Sequence, residues 1–493
     1  MLEPGANERR EGQAVNMDRR EFLKAAGVGA AAALFPGCAT GARRQNGGAP
    51  PNVVLFLIDD LGWADLGCYG STYYETPRLD RLAREGTRFT DGYAACAVCS
   101  PTRAAVITGR YPARIGVTDW IRARYQRDAE LAMVETEDGY VAAPGRALLC
   151  PRNPYWMALD EVTLAEVLRA RGYVTCHAGK WHLGDEAWFP ERQGFDVNIG
   201  GCDFGHPPSY FDPYCSEHQG CIHNLPPRKE GEYLTDRLAD EAARFIREHA
   251  ESPFFLHMAH YAVHTPIQAK EATIAKYREK PPTHQTDPVY AAMVESMDEA
   301  VGTVLDAIED AGVADNTLVI FTSDNGGLIG KTSNAPLRAG KGTPYEGGVR
   351  VPLLVRWPGR VPAGALCDTP ASSIDLLPTV CAAVNVPPPE GRVIDGTNLL
   401  PVLTDGARLD RDALFWHFPH YRDAKQGPYS IVRTGDWKLI RWYEGPHHEL
   451  YRLDEDPSET RDLAADQPAK CAALSARLDA WLAETGAKLP RAT

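Results

Sequence analysis

The chain has 493 residues, 44% of them hydrophobic and 24% charged, with a formal net charge of -14. That length supports more than one layer of core and more than one unit, and the composition is that of a soluble globular protein rather than a disordered one. The acidic balance argues against nucleic acid as the main partner, and no internal apolar run approaches the ~20 residues of a membrane span.

Met17 opens the stretch MDRREFLKAAGVGAAAALFPGC, which sets Arg19-Arg20 ahead of Phe22-Leu23-Lys24 and a short Ala/Gly-rich apolar run. This is the pattern of a twin-arginine export signal. It predicts an exported protein, periplasmic or extracellular, handled by the twin-arginine export machinery. Phe35-Pro36-Gly37-Cys38 weakly resembles a lipoprotein processing site at Cys38. Residues 41–51 (GARRQNGGAPP) read as a linker, so residues 1–50 are set apart from the fold. The twelve cysteines have irregular spacings with no C-x-x-C zinc pattern. Export permits disulfides, and Cys215 and Cys221, in a Pro/Gly-rich loop near Cys202, are the best candidates.

Next comes NVVLFLIDD, a continuous apolar run that predicts a strand buried on both faces and ending at Asp59-Asp60. A helix is predicted over Pro77–Glu85. In CAVCSPTRAAVITGR, Ser100 reads as an N-cap and Pro101 as the first helical residue. Cys99 then sits at the positive end of that helix, and Arg103, about one turn along, can lean back toward it. Thr163 and Glu166 form a capping box for a helix from Thr163 to Arg171, closed by Gly172. The strand in YVTCHAGKWHLG runs into Lys180 and His182. A helix over Leu234–His249 precedes the strand in SPFFLHMAHYAVHTP, which leads to His264. A helix over Val289–Ala311 precedes TLVIFTSDNGG, a strand ending at Asp324-Asn325.

Alternating strands and helices predict an α/β fold with a large, mostly parallel mixed sheet flanked by helices, over residues 51–400. In such sheets ligands bind beyond the carboxyl ends of strands, and four segments deliver polar clusters there. Residues 120–158 and 200–232 read as long insertions, either functional rim loops or variable surface. From 401 to 493 the pattern becomes that of a smaller antiparallel α+β subdomain. YSIVRTGDWKLIRWYEGPHHELYRL alternates like strands with turns at Thr434-Gly435-Asp436 and Glu444-Gly445-Pro446. A helix follows with Leu474, Leu478 and Leu482 on one face, ended by Gly486.

Asp59, Asp60, Asp324 and Asn325 offer hard oxygen ligands, which suit Ca²⁺ or Mg²⁺ rather than zinc. One acid pair at a strand end is ordinarily a cap or a solvated turn; two pairs on two apolar strands shift the reading toward metal. Lys180, His182, His264 and Lys341 add cationic or protonatable groups. Together they describe a pocket for a tetrahedral oxyanion ester.

These residues carry a family resemblance. Cys99-Ser100-Pro101-Thr102-Arg103 followed by Thr108-Gly109-Arg110 resembles the type I sulfatase signature. LIDDLG, GKWHLG, HTP, SDNGG and GKGTPYEGGVRVP resemble the other blocks of the sulfatase family, in family order, over residues 51 to 485. The resemblance implies an alkaline-phosphatase-like fold and a sulfuric ester hydrolase. It implies that a maturation enzyme oxidises Cys99 to Cα-formylglycine (3-oxoalanine), hydrated to a gem-diol that Arg103 holds. Asp59, Asp60, Asp324, Asn325 and the converted Cys99 would bind Ca²⁺, in preference to Mg²⁺. One diol oxygen would attack sulfur, Lys180, His264 and Lys341 would neutralise charge on the sulfuryl and leaving oxygens, and His264 or Lys341 would protonate the leaving alcohol. His182 would take the proton whose loss expels sulfate. Thr102 stands where many members have Ser or Ala, and Val263 where Pro is frequent; neither removes a reacting group.

The implied substrate is sulfated carbohydrate, with aryl sulfates as surrogates. His417 and His420 in FWHFPHY, with Trp416 and Tyr421, could contact the sugar or could be packing residues. Two other functions compete: a phosphonate or phosphate ester hydrolase of the same superfamily, and an unmodified, non-catalytic glycan-binding protein.

Overall fold

The structure, a computed structural model, describes residues 49–121, 134–135, 138–142, 145–225, 229–422 and 426–493. The export signal, Cys38 and most of the linker lie outside the described residues, as does much of the 120–158 insertion.

The apolar runs become strands of one eight-stranded sheet. In chain order these are β1 (Asn52–Ile58), β2 (Thr87–Phe89), β3 (Val174–Gly179), β4 (Val197–Ile199), β5 (Phe254–Ala259), β6 (Thr317–Ser323), β7 (Leu353–Arg356) and β8 (Ala365–Cys367). Their spatial order is β8-β2-β7-β6-β1-β5-β3-β4. From β6 across to β4 every pairing is parallel, while β7 runs antiparallel to both its neighbours. The sheet is therefore mixed but mostly parallel, as expected.

Helices cover both faces, which is why β1 is buried along its whole length. Side chains alternate across a strand, and those of β1 divide between two cores. Val54, Phe56 and Ile58 pack with Leu79 and Leu82 of α1 (Pro77–Glu85) on one face. Val53, Leu55 and Leu57 pack with Ala104 and Val106 of α2 (Cys99–Thr108) and with Leu164 and Leu168 of α3 (Leu164–Arg169) on the other. The first core also takes Leu234 and Leu238 of α4 (Leu234–Glu248) and Met293 and Met297 of α5 (Pro288–Asp310).

The Thr163–Glu166 capping box forms in full; α3 ends two residues before the expected Arg171. One expectation needs correction: α2 begins at Cys99, with the extended Val98 as N-cap, rather than at Pro101 with Ser100 as cap. The Ser100 hydroxyl is used elsewhere, donating to the carbonyl of His182 and accepting from the N–H of Ile121. Thr102 instead closes the entry turn, its hydroxyl accepting from the N–H of Cys96 and donating to the Cys96 carbonyl.

The C-terminal chain folds as an antiparallel sheet of β9 (Leu414–Phe418), β10 (Tyr429–Thr434), β11 (Trp437–Trp442) and β12 (His447–Arg452), followed by α6 (Pro468–Glu484). Val432, Leu439 and Leu450 face Leu474, Leu478 and Leu482 of α6. The opposite face, with Trp416, Phe418, Ile431 and Ile440, packs on Tyr93, Cys96, Ala97 and Val98, the segment that delivers Cys99. Cys215 and Cys221 are joined in a disulfide, as expected.

Asp298 of α5 ties two helices of the first core together. Its carboxylate accepts the N–H groups of Arg78 (3.0 Å) and Leu79 (2.8 Å), at the start of α1, and burial pushes that carboxyl up to about 7. Between its ordinary acid range and about 7, the folded state holds a proton that the unfolded state has released, so stability from this group is lost as pH rises through that window. Asp298→Asn is therefore expected to gain stability relative to the wild type between pH 5 and pH 8, by on the order of 1–3 kcal/mol. Thermal midpoints of both proteins across that range check it; a constant difference contradicts it.

Candidate active site

The register of the parallel strands makes their carboxyl ends coincide: Ile58 lies beside Ser323, Leu57 beside Ala259, and Ala259 beside Gly179. The residues that follow are thrown over one edge of the sheet. They are Asp59-Asp60 after β1, Lys180 after β3, the turn to His264 after β5, and Asp324-Asn325 after β6. Backbone bonds cross-brace these ends, with Asp59 N–H to the Ala262 carbonyl (3.0 Å), Val263 N–H to the Asp59 carbonyl (2.7 Å) and Asp324 N–H to the Ile58 carbonyl (3.0 Å). Gly179 (φ 103°) must be glycine, because a Cβ there would stand 1.9 Å from the Ala259 carbonyl oxygen. Asp60 and His182 both have φ of 61°, a left-handed conformation uncommon for their residue types.

The side chains then interlock. Lys180 Nζ reaches Asp59 Oδ2 (2.7 Å) and Lys341 Nζ reaches Asp60 Oδ1 (2.5 Å). Arg103, buried on the second turn of α2, donates from Nε to Asp324 Oδ2 (2.9 Å) and from Nη1 to the Lys180 carbonyl (2.8 Å). Asp324 Oδ1 accepts the Asp60 N–H, and Asn325 Nδ2 donates to Asp60 Oδ1 (2.9 Å). His264 Nε2 stands 3.6 Å from Asp60 Oδ2, and its Nδ1 bonds Thr265.

Electrostatics follow from this packing. Burial works against the charged form of Asp60, yet His264, Lys341 and Lys180 hold it below the ordinary carboxylate range. Asp324 is likewise held down against burial, chiefly by Arg103. Asp59 goes the other way, because burial outweighs Lys180 and Asp324 adds repulsion. Burial would raise the Cys99 thiol, but Lys180 and Lys341 pull it down to about 6. Burial keeps His182 neutral, helped by Lys180 and Arg103.

Asp59 Oδ1, Asp60 Oδ2 and Asn325 Oδ1 are buried without any hydrogen-bond partner. Unpaired buried oxygens are costly, and converging ones fit a cation. Asp59, Asp60, Cys99 and His264 each turn a potential ligand atom to within 4.8 Å of the others. The three unsatisfied oxygens suit a hard divalent ion. His264 was not expected in that cluster, and of the expected ligands Asp324 is the one already committed to hydrogen bonds on both oxygens.

The structure thus brings together Asp59, Asp60, Cys99, Arg103, Lys180, His264, Asp324, Asn325 and Lys341. His182 joins them through Ser100. His417 does not; of its two readings, sugar contact or packing, its surroundings in the fold are those of a packing residue. It is buried, with Nδ1 on Ser430 Oγ (2.7 Å) and Nε2 on the Lys488 carbonyl (3.1 Å), so both ring nitrogens are used in packing the C-terminal sheet. His420 is also buried, with Nε2 at 2.8 Å from Thr118 Oγ1, on the segment leading into the long insertion.

Two features escaped the sequence. His206 stacks on His264; its only signal was a histidine in the Gly/Pro/Cys-rich insertion. The other is a buried charge cluster behind the Lys341 loop. Lys438 of β11 hydrogen-bonds Glu346 Oε1 (2.9 Å) and is ion-paired with Glu459 Oε1 (2.8 Å), and Glu459 Oε2 accepts the Glu346 N–H (2.6 Å). Tyr93 O–H donates to Glu346 Oε2. The loop bearing Lys341 is also tied to the Cys99 segment by the bond from Gly342 N–H to the Ala97 carbonyl (2.8 Å).

Comparison with known proteins agrees with this site. The family model described as Sulfatase matches residues 51–386, that of the N-sulphoglucosamine sulphohydrolase C-terminal region matches 340–488, and that of the twin-arginine translocation signal matches 16–36. A sulfatase from Formosa agariphila is 33% identical over 92% of this chain and 92% of its own. Human arylsulfatase A is 36% identical over 85% of this chain and 80% of its own. The solved structure of Ps i-CgsB in complex with k-i-k-neocarrahexaose superposes with a TM-score of 0.74 at 31% identity, covering 88% of this chain and 93% of that one.

Removing Lys438 leaves two buried carboxylates without their shared cation. Lys438→Met is expected to cost about 3–5 kcal/mol of stability. The cost should be larger at pH 8 than at pH 5, because burial already pushes Glu459 up to about 7 and its proton can mask the missing cation only on the acid side. Denaturant midpoints at both pH values check this, and equal losses would contradict the shared-cation account.

Proposed function

The chain belongs to the sulfatase family of sulfuric ester hydrolases, and we propose that it acts on sulfated carbohydrate, with aryl sulfates as surrogates, through a formylglycine made from Cys99 beside a bound Ca²⁺. The carrying observation is the set of buried oxygens on Asp59, Asp60 and Asn325 that no hydrogen bond satisfies, facing a cysteine at a helix N-terminus among cations. The twin-arginine signal sends the protein out of the cytoplasm, where sulfated glycans are met. One structural neighbour is described as bound to a neocarrahexaose.

Asp59, Asp60, Asp324, Asn325 and position 99 would hold the Ca²⁺, whose charge would draw the sulfuryl oxygens and acidify the nucleophile. Once a maturation enzyme has converted it, position 99 supplies a hydrated aldehyde, whose second hydroxyl gives a route for sulfate release that a serine lacks. The remaining work falls to the chain's own side chains. Arg103 fixes Asp324 and the Lys180 carbonyl against the start of α2, and so holds the nucleophile's surroundings rigid. Lys180 and Lys341 supply fixed positive charge where the sulfuryl oxygens gather it.

His182 has a determined tautomer. Its Nε2 lies 2.7 Å from the Ile121 carbonyl, which only accepts, so Nε2 carries the proton and Nδ1 keeps its lone pair. That Nδ1 is buried without a partner, as a base for the proton at position 99 requires. His264 is the better donor to the leaving oxygen. Asp60 raises its affinity for a proton against the effect of burial, and an imidazolium releases a proton near neutral pH far more readily than Lys341, which Asp60 holds above the ordinary ammonium range.

Cys99→Ala is expected to lower kcat on 4-nitrophenyl sulfate by at least about 10³-fold. The tryptic peptide carrying position 99 from an active preparation should have the mass of an aldehyde in place of a thiol. Stripping divalent cations with a chelator should lower both activity and the thermal midpoint, and Ca²⁺ should restore both. Full activity with only free thiol at position 99, or indifference to chelation, would end this reading.

A further inference from the structure

The insertion that follows β4 enters the site through residues that the reaction scheme leaves unused. The His182 N–H bonds the Cys202 carbonyl (3.0 Å). Gly205 lies flat against the His182 ring, and a Cβ there would stand 2.8 Å from Nε2 and 2.9 Å from Cε1. The next residue, His206, stacks on His264 with ring centroids 5.8 Å apart and planes 6° from parallel. The dipeptide therefore touches both catalytic imidazoles.

The hydrogen bonds of His206 specify its state. Gln219 Nε2, an amide donor, lies 3.0 Å from His206 Nε2, and the Pro207 carbonyl lies 3.2 Å from His206 Nδ1. Nε2 therefore accepts and Nδ1 donates, which describes a neutral ring. Gln219 sits in the short hairpin closed by the Cys215–Cys221 disulfide, between the strands Cys215–Ser216 and Gly220–Cys221. His206 is half-buried.

We propose that His206 is a specificity-determining residue, forming the wall of the cleft on which the ring of the alcohol half of the substrate rests, pyranose or aryl, with Gln219 as its positioning residue. This rests on the sulfatase reading above. The sulfuryl half is claimed by the charged groups Lys180, Lys341 and His264. A neutral imidazole with both nitrogens engaged offers that half nothing, but presents a flat apolar surface beside the ring that protonates the leaving oxygen. The atoms bonded to that oxygen come next to whatever stacks on His264.

The test uses matured full-length protein with 4-nitrophenyl sulfate as the ester and inorganic sulfate as an inhibitor that reports the sulfuryl half alone. His206→Ala should raise KM about five- to tenfold, leave kcat within about threefold, and leave the sulfate inhibition constant within about twofold. His206→Phe, which keeps a flat ring, should recover most of the KM. Gln219→Ala should raise KM in the same way by less. Parallel rises in KM and in the sulfate constant, an unchanged KM in the Ala variant, or a Phe variant as impaired as Ala at an unchanged thermal midpoint, would each overturn the role of His206. Absence of wild-type turnover on every sulfate ester would instead strike the reading of function on which it rests.

Discussion

Three carboxylates buried at the end of one sheet set the terms for everything else in this molecule. Asp59, Asp60 and Asp324 have no measurable exposure, and an uncompensated buried charge costs several kcal/mol. Lys180, Lys341 and Arg103 answer them one for one, but their positions are not interchangeable. Arg103 comes from the first turns of a helix, Lys180 from a strand end and Lys341 from a loop. Each is itself buried, so the cluster is stable only when all of these elements are docked together. The site is therefore also a keystone of the fold, and the chain cannot loosen one element without exposing a charge elsewhere.

The C-terminal subdomain is part of this arrangement. Trp416 donates from its indole N–H to the Ala94 carbonyl (2.7 Å), and the apolar face of its sheet covers residues 93–98. Lys438 reaches from the same sheet to Glu346, just after the Lys341 loop. Support thus arrives at both Cys99 and Lys341 from behind, while the residues themselves belong to the large sheet. Precision in a reacting site depends on such backing, and here it comes from residues 322 and 92 positions away in sequence from those they hold.

What was legible in the sequence follows the range of the interaction that encodes it. The continuous apolar runs of β1, β5 and β6 announce strands buried on both faces, and the polar residues at their ends announce a shared edge. These are local patterns with one physical cause. The Thr163–Glu166 box is also local, and forms as read. Ser100 misleads because its hydroxyl can cap a helix or bond across space; a contact with His182, 82 positions on, wins. His417 stays open to two readings for the same reason, since neither Ser430 nor Lys488 can be seen from the histidine's own neighbours. His206 was invisible because its meaning lies in a ring stacked on it from another strand end. Lys438, Glu346 and Glu459 were unremarkable charges until folding buried them together.

The charge balance of the pocket also bears on which ester it accepts. Asp60 and Asp324 are held as carboxylates while burial pushes the Asp59 carboxyl up, so against Lys180, Lys341 and Arg103 the protein's own contribution leans positive, and Asn325 fills the fourth strand-end position without adding a negative charge. Replacing Asn325 by a carboxylate would tip the inner wall toward negative charge, where an anionic ester is repelled. A sulfate monoester carries a single negative charge spread over its outer oxygens, which matches a pocket with a modest excess of positive charge. The same field holds the Cys99 thiol down to about 6, after Lys180 and Lys341 overcome the cost of burial. Before any substrate arrives, position 99 and the space in front of it are already set for a small, diffuse anion.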